Sequence, residues 1–330
     1  VSVITHLHGG TRGVDDAPAT VRRHDLTVAL SGLRGDVVFD APLEAVTSLR
    51  IGGPADALVT PADVRDVCRI VRQARTAHVP VMVLGGTNLL VKDGGVRGVV
   101  LILSNMVAMT REEDARVFAE AGVRMPVLMG FAARHALSGL EWAAGIPGTV
   151  GGAVVMNAGT KLGEMRHCLE AVRMVNPQGQ VRTHAAADLA FAYRHVSLPD
   201  GVVVGAWLQL TRASRPHIEA SARSYLQYRK HSQPLSQPNA GSVFKNPPQT
   251  TAGRLIEEAG LKGARVGDAQ VSTRHANFLV NLGRARASDM LQLIANIQRA
   301  VFRRTGIMLE LEWKVVGEGD DVDPRPHGTR

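Results

Sequence analysis

The sequence predicts an α+β protein of two or three domains, and three observations carry that expectation. Its 330 residues, 45% hydrophobic and 21% charged, suffice for more than one core and are too apolar for a disordered chain. Strand-like and helix-like stretches alternate from about Leu43 to Leu84 and again from Ala115 onward. A hairpin signal and a long amphipathic helix follow in the second half, so strands and helices are not evenly interleaved to the end.

Residues 1–40 mix Gly, Asp, His and Arg with little periodicity and read as an irregular N-terminal extension. Ala57-Leu58-Val59 reads as a short strand, and Thr60-Pro61 opens a helix with an N-cap and a first-position proline. Val64, Val67, Val71 and Ala74 then recur at helical spacing. The run Val79 to Leu84 is strand-like and empties into Gly85-Gly86-Thr87-Asn88. A strand through Val117-Phe118-Ala119 and a helix over Met125 to His135 lead to a glycine-dense segment from Gly139 to Gly159. Two runs, Ala171 to Val175 and Gln180 to Arg182, flank Asn176-Pro177-Gln178-Gly179 and predict a hairpin. Val202 to Leu208 adds a strand, Arg215 to Lys230 and Gly253 to Ala259 add helices, and the loop Gln233 to Pro248 separates those helices. In Ser288 to Thr305, Met290, Leu293, Ile294, Ile297 and Val301 form one apolar stripe that Gly306 ends. Leu309 to Val315 alternates with a period of two, which puts Glu310, Glu312 and Lys314 on one strand face.

Composition also excludes. No apolar run reaches the roughly 20 residues of a spanning helix, since the best candidate, 79–91, is broken by glycines and Asn88. No basic start followed by an apolar core is present at the N-terminus, so no secretory signal is read and a cytoplasmic location is expected. Cys68 and Cys168 are far apart and lack metal spacing, so neither a metal nor a disulfide framework is expected. Lys+Arg 38 against Asp+Glu 30 gives a net charge of +8, which favours anionic partners. An arginine-rich nucleic-acid module is one alternative, but few aromatics are available for base stacking and no recognition motif is found.

Three stretches carry chemistry. Gly85-Gly86-Thr87-Asn88, leaving a buried strand, offers unhindered backbone N–H groups and two polar side chains, as a pyrophosphate needs. The glycines of Gly145-Ile146-Pro147-Gly148-Thr149-Val150-Gly151-Gly152 cost backbone entropy, so close backbone approach or positive φ is required there. Both a flat cofactor laid on the main chain and a tightly packed loop meet that requirement. Asn239 to Pro247 puts Ser242, Lys245 and Asn246 within five residues, with a ligand loop and a simple turn as the two readings. Arg194 has the planar fork that clamps a carboxylate.

Taken together and in order, these motifs resemble the UDP-N-acetylenolpyruvoylglucosamine reductases, the MurB family. The resemblance rests on Thr47 to Asp56, on Gly145 to Gly152 followed by Met156-Asn157-Ala158-Gly159, on Tyr193-Arg194 and on Gly241 to Pro247. Gly253 to Glu257 and His275 to Asn281 complete it, and the match runs from about Thr47 to Gly317. It implies a two-subdomain FAD-binding module of the vanillyl-alcohol-oxidase (PCMH) type over 41–211, divided near 105, followed by a smaller α/β substrate-binding domain over 212–317 and a tail over 318–330. The spacing from Arg194 to Ser242 resembles the short type, without the tyrosine-loop insertion. One departure stands out: the family's Leu-Gly-x-Gly-Ser-Asn turn is here one residue short, with Thr87 for Ser.

The resemblance further implies reduction of the enolpyruvyl ether of UDP-N-acetylglucosamine by NADPH through FAD. Ser242 is then the proton donor, while Arg194 and a protonated Glu312 stabilise the developing enolate. FAD would be held by Ile51, Gly53, Gly85, Gly86, Thr87, Asn88 and Leu89, and by Gly145, Ile146, Pro147, Gly148, Gly151 and Gly152. Tyr193, Asn246, Lys230 and Gln270 would hold the UDP-sugar, in a monomer with no nucleic-acid or membrane partner. An FAD-dependent oxidase of the same fold, acting on an alcohol or sugar, is the rival enzyme reading.

Overall fold

A computed structural model describes residues 21–85 and 87–319; Gly86, residues 1–20 and residues 320–330 lie outside it. The chain divides into two compact units. The first runs to Ala41 and then takes Ala55–Gly85 and Arg97–Gln227, whereas Pro42–Pro54, residues 87–96 and the chain from Tyr228 form the second. The expected substrate domain, 212–317, is contiguous; the second unit instead draws in two early segments, and the division falls within a helix, after Gln227. A composition reading could not show this, because those segments carry no change of texture.

Within the first unit, a four-stranded sheet has the order Asp36–Pro42, Pro54–Thr60, Val96–Leu101, Val81–Val83, and the last two strands are parallel. Helix α1 (Arg23–Ala29) and the strand Asp36–Pro42 correct the expectation of an irregular stretch up to residue 40. Leu26 and Ala29 bury one side of α1, a signal too short to register as periodicity. Helix α2 (Val64–Thr76) buries Val67, Ile70, Val71 and Ala74 as their spacing predicts. Its cap, however, is Asp63 and not Thr60: the Asp63 carboxylate accepts the N–H groups of Arg65 and Asp66. The Arg34 guanidinium beside it, followed by those amides, holds the Asp63 carboxyl down at about 2.

A five-stranded antiparallel sheet follows in the same unit, ordered Val181–Ala185, Leu169–Val175, Val202–Gln209, Arg116–Glu120, Met109–Arg111. The predicted hairpin closes at Asn176, whose N–H meets the Gln180 carbonyl at 2.9 Å while Gly179 takes φ +73. Helix α3 (Met125–Arg134) starts with a proline in its first turn, and the short α4 (Val150–Val155) emerges from the glycine run. Gly151 is required by packing, since a Cβ there would lie 2.8 Å from the Ala121 Cβ. The first unit ends at Gln227, inside helix α5 (Arg215–Ser232). Among the described residues no helix is long and apolar enough to cross a membrane.

In the second unit, α6 (Ala252–Glu258) and α7 (Ala287–Thr305) accompany a three-stranded antiparallel sheet of Arg265–Val266, Ala269–Val271 and Leu279–Asn281. The α7 stripe is buried as read, and Gly306 at φ +71 ends the helix. Asp93 accepts the N–H groups of Ala287 and Ser288 at 2.8 and 3.0 Å, so the second unit's early segment supplies the acceptor for the first turn of α7. The predicted strand Leu309 to Val315 is confined to Lys314–Val316, which pairs in parallel with Leu89–Val91. Its first half is held otherwise, by Val243 and Lys245, so the ladder partner changes midway. Glu318, assigned to the tail, exchanges backbone bonds with Gly94 and Gly95.

Candidate active site

In the second unit, Ser242 sits half-buried in a segment fixed on both sides. It bridges to Phe278, and the Val243 N–H donates to the Asn277 carbonyl at 3.0 Å. On the other side the Val243 carbonyl accepts the Glu312 N–H at 2.8 Å, and the Lys245 N–H reaches the Glu310 carbonyl at 2.9 Å. Two predicted catalytic residues seventy positions apart are thus one peptide from a shared hydrogen bond. The buried Asn277 side chain tightens this further. Its Oδ1 accepts the Phe244 N–H at 3.0 Å and its Nδ2 donates to the Phe244 carbonyl at 2.8 Å, which satisfies both main-chain polar groups of one buried residue.

A cavity of about 530 Å³ opens beside Ser242, lined by Asn246, Thr251, Arg254, Arg274 and His275 among others. Asn246 Oδ1 accepts the Ala252 N–H at the start of α6, which fixes the amide and turns its N–H groups to serve as donors. The His275 Nδ1 accepts the Asn277 N–H at 3.2 Å, and burial, followed by the nearby Lys262 charge, pushes its pKa down. Two predicted substrate contacts do not line this cavity. Gln270 donates to the Gly263 carbonyl at 3.2 Å, and Lys230 is an exposed residue in the last turn of α5 whose carbonyl accepts from Arg274 at 2.9 Å.

Asn88 and Glu312 are joined in the same unit. The Asn88 Nδ2 donates to the Glu312 carbonyl at 3.1 Å, and the Asn88 carbonyl accepts from the Lys314 N–H at 3.1 Å. Thr87 and Leu89 are buried. Ile51 is buried in the second unit's core, and Gly53 is needed because a Cβ would collide with the Asp93 carbonyl. For these two positions chain packing supplies the reason that the sequence left open.

The remaining predicted residues belong to the first unit. Tyr193 and Arg194 form the two-residue turn of a hairpin in which Ala192 pairs with His195. Arg194 is left-handed at φ +55, and its guanidinium lies 4.8 Å from the Tyr193 ring centroid. In the glycine run, Gly145 and Gly148 take φ +76 and +99, which glycine alone adopts freely. The amides of Ile146, Val150 and Gly151 are spent on the carbonyls of Ala143, Val123 and Ala121. Pro147 is exposed and has no N–H, and Gly145 and Gly148 are half-buried, so the outward main chain is a short stretch at 145–148. Gly152 is buried within α4, Gly85 is half-buried, and Gly86 lies outside the described residues. A second cavity of about 540 Å³, between α3 and α5, includes Gly145 but no predicted catalytic residue.

Sequence reasoning assigned no role to Asn277, His275 or Asn157. All three stand in motifs that carry the family resemblance, and His275 and Asn277 lie just ahead of the apolar run Phe278 to Val280, where polar residues signal buried hydrogen bonding.

The sheets and helices of the two units define a protein of the α+β class. The FAD binding domain family matches residues 55–185, and the C-terminal domain model of UDP-N-acetylenolpyruvoylglucosamine reductase matches residues 233–316. A reductase of that name from Syntrophus aciditrophicus (strain SB) is 44% identical over 294 residues, covering 87% of this chain and 94% of the relative. One from Symbiobacterium thermophilum is 46% identical over 286 residues, covering 86% and 93%. The crystal structure of the enzyme from Thermus caldophilus superposes with a TM-score of 0.73 at 41% identity, over 86% of this chain and 99% of that one. The chain belongs to the UDP-N-acetylenolpyruvoylglucosamine reductase family.

Proposed function

We infer that this chain catalyses NADPH-dependent, FAD-mediated reduction of the enolpyruvyl ether of UDP-N-acetylglucosamine to UDP-N-acetylmuramate, a step of peptidoglycan precursor synthesis. The observation that supports the reading is the hydrogen bond from the Glu312 N–H to the Val243 carbonyl, which joins the segments that carry Ser242 and Glu312.

When bound, FAD would supply the hydride chemistry that links NADPH to the terminal methylene carbon of the substrate. Gly145 and Gly148, with Thr87 and the turn at Gly85, are the residues that would hold it; their left-handed or closely packed backbone fits a flat group laid on main chain. The residues of this chain carry the rest. As the methylene gains hydride, negative charge grows on the carboxylate-conjugated carbon. Arg194 offers the planar guanidinium that matches this carboxylate, and Glu312, in its protonated form, donates a hydrogen bond to the enolate oxygen. Ser242 gives its hydroxyl proton to the carbon bearing the ether oxygen, and solvent returns a proton to Ser242. A hydroxyl is a weak acid, but an enolate carbon is basic enough to take its proton when the two are held in contact.

The amide N–H groups of Asn246, with Arg254 and Arg274 on the same cavity wall, suit the polar and anionic parts of a UDP-sugar. Tyr193, beside Arg194, takes the same ligand, and Lys230 and Gln270 serve it from outside the Ser242 cavity. The protein works as a cytoplasmic monomer that needs neither nucleic acid nor membrane. The test is anaerobic: NADPH must bleach the flavin absorbance of the purified protein, and the enolpyruvyl UDP-sugar must restore it. Bleaching followed by recovery only with oxygen would instead indicate the alcohol or sugar oxidase.

A further inference from the structure

The Asn157 side chain is fully buried, and both of its polar atoms are spent on the backbone of other segments. Its Oδ1 accepts the Arg166 N–H at 3.0 Å, and its Nδ2 donates to the Ala192 carbonyl at 3.1 Å. The residue is left-handed at φ +41, a conformation asparagine tolerates better than most. Its neighbours are apolar: Met156 and Ala158 are buried, and α4 ends immediately before it. Burying an amide there is costly unless both ends are bonded, so the two bonds explain why the position can be polar.

The bond to Ala192 has a consequence for the site. Ala190–Ala192 and His195–Ser197 form a two-stranded ribbon that, among the described residues, pairs with no further strand. Ribbons of this size are marginal by themselves. Of its strand residues only Val196 is buried, with Phe191 partly so. Arg194 sits at its tip in a left-handed conformation, an arrangement that persists only where the surroundings hold it. Asn157 Nδ2 grips this ribbon at the last residue before the turn.

We propose that Asn157 is a positioning residue for Arg194, fixing the ribbon that presents the guanidinium to the substrate carboxylate. The proposal rests on the functional reading above, in which Arg194 acts on the enolpyruvyl group and not on NADPH.

Asn157→Asp keeps an acceptor for the Arg166 N–H and replaces the donor to Ala192 by an oxygen. Asn157→Gly removes both bonds while accepting the left-handed backbone, and provides a second route should the aspartate fold poorly. In either variant, normalised to flavin content, reoxidation by the enolpyruvyl UDP-sugar should slow about 10- to 100-fold, as a misplacement near 1 Å does. Reduction by NADPH should stay within about 3-fold, and amide hydrogen exchange at residues 191–196 should accelerate in the cofactor-free protein. In an Arg194→Ala background the same substitutions should add less than about 3-fold, because residues acting as a unit are not additive. Equal slowing of both half-reactions, or undiminished slowing in the Arg194→Ala background, overturns the inference alone. If Arg194→Ala itself leaves reoxidation unchanged, the functional reading falls and the inference with it.

Discussion

Ser242→Ala is the sharpest test of the chemistry, because the structure separates the hydroxyl from the scaffold. The bonds that fix Val243 and Phe244 are made by main chain or by Asn277: Val243 to Asn277 at 3.0 Å, Glu312 to Val243 at 2.8 Å, and the two contacts on Phe244 at 3.0 and 2.8 Å. None involves the Ser242 side chain, so removing one half-buried oxygen leaves Glu312 in place and changes stability by no more than about 0.5 kcal/mol. What is lost is the proton donor. A positioned acid contributes about 100- to 10,000-fold, or roughly 2.7 to 5.5 kcal/mol of barrier. Stopped-flow absorbance at the flavin band resolves the two half-reactions. Reoxidation by the enolpyruvyl UDP-sugar should fall by that factor, while reduction by NADPH should stay within about 2-fold, since hydride transfer to the flavin needs no acid at this position. Equal loss in both steps, or reoxidation at the wild-type rate, would refute the role of Ser242.

Three further outcomes are expected. Asn277→Ala strands the buried N–H and carbonyl of Phe244 and should destabilise the protein by about 2–4 kcal/mol, read from urea unfolding. Asp63→Ala removes the cap of α2 and should cost about 1 kcal/mol at neutral pH. Because the folded carboxyl lies at about 2, against 3.8 unfolded, that contribution is present above about pH 4 and fades as pH falls through 2; the two proteins should converge in acid. The lowered pKa of His275 has the opposite origin, burial. Below its ordinary value of 6.5 the unfolded chain binds a proton that the folded chain refuses, so stability should fall as pH drops below 6.5, by at most about 1.4 kcal/mol per pH unit, and His275→Asn should remove that slope.

What the sequence disclosed and what it withheld follow one physical line. Local burial shows in spacing, so the α7 stripe, the α2 face and the hairpin at Asn176 to Gly179 were legible. Ser242 and Asn246 were found by motif, and both line one cavity. The satisfaction of backbone groups by remote partners leaves no periodic trace. Asp93 accepts N–H groups of α7 from 194 residues away, and residues 42–54 and 87–96 join the second unit without any break in composition. The alternation from Leu309 to Val315 is a case between these. It reported the side-chain faces, but the backbone pairs first with Val243 and Lys245 and only then with Leu89–Val91.

From the sequence, Asn88 in the glycine turn after Val83 is expected to face a pyrophosphate. Here one of its amide hydrogens goes to the Glu312 carbonyl and its own carbonyl goes to Lys314, and at φ +57 it ties the turn to the segment carrying Glu312. By the same connection, a change at Asn88 would be felt first at Glu312, and so in the substrate half-reaction before cofactor retention.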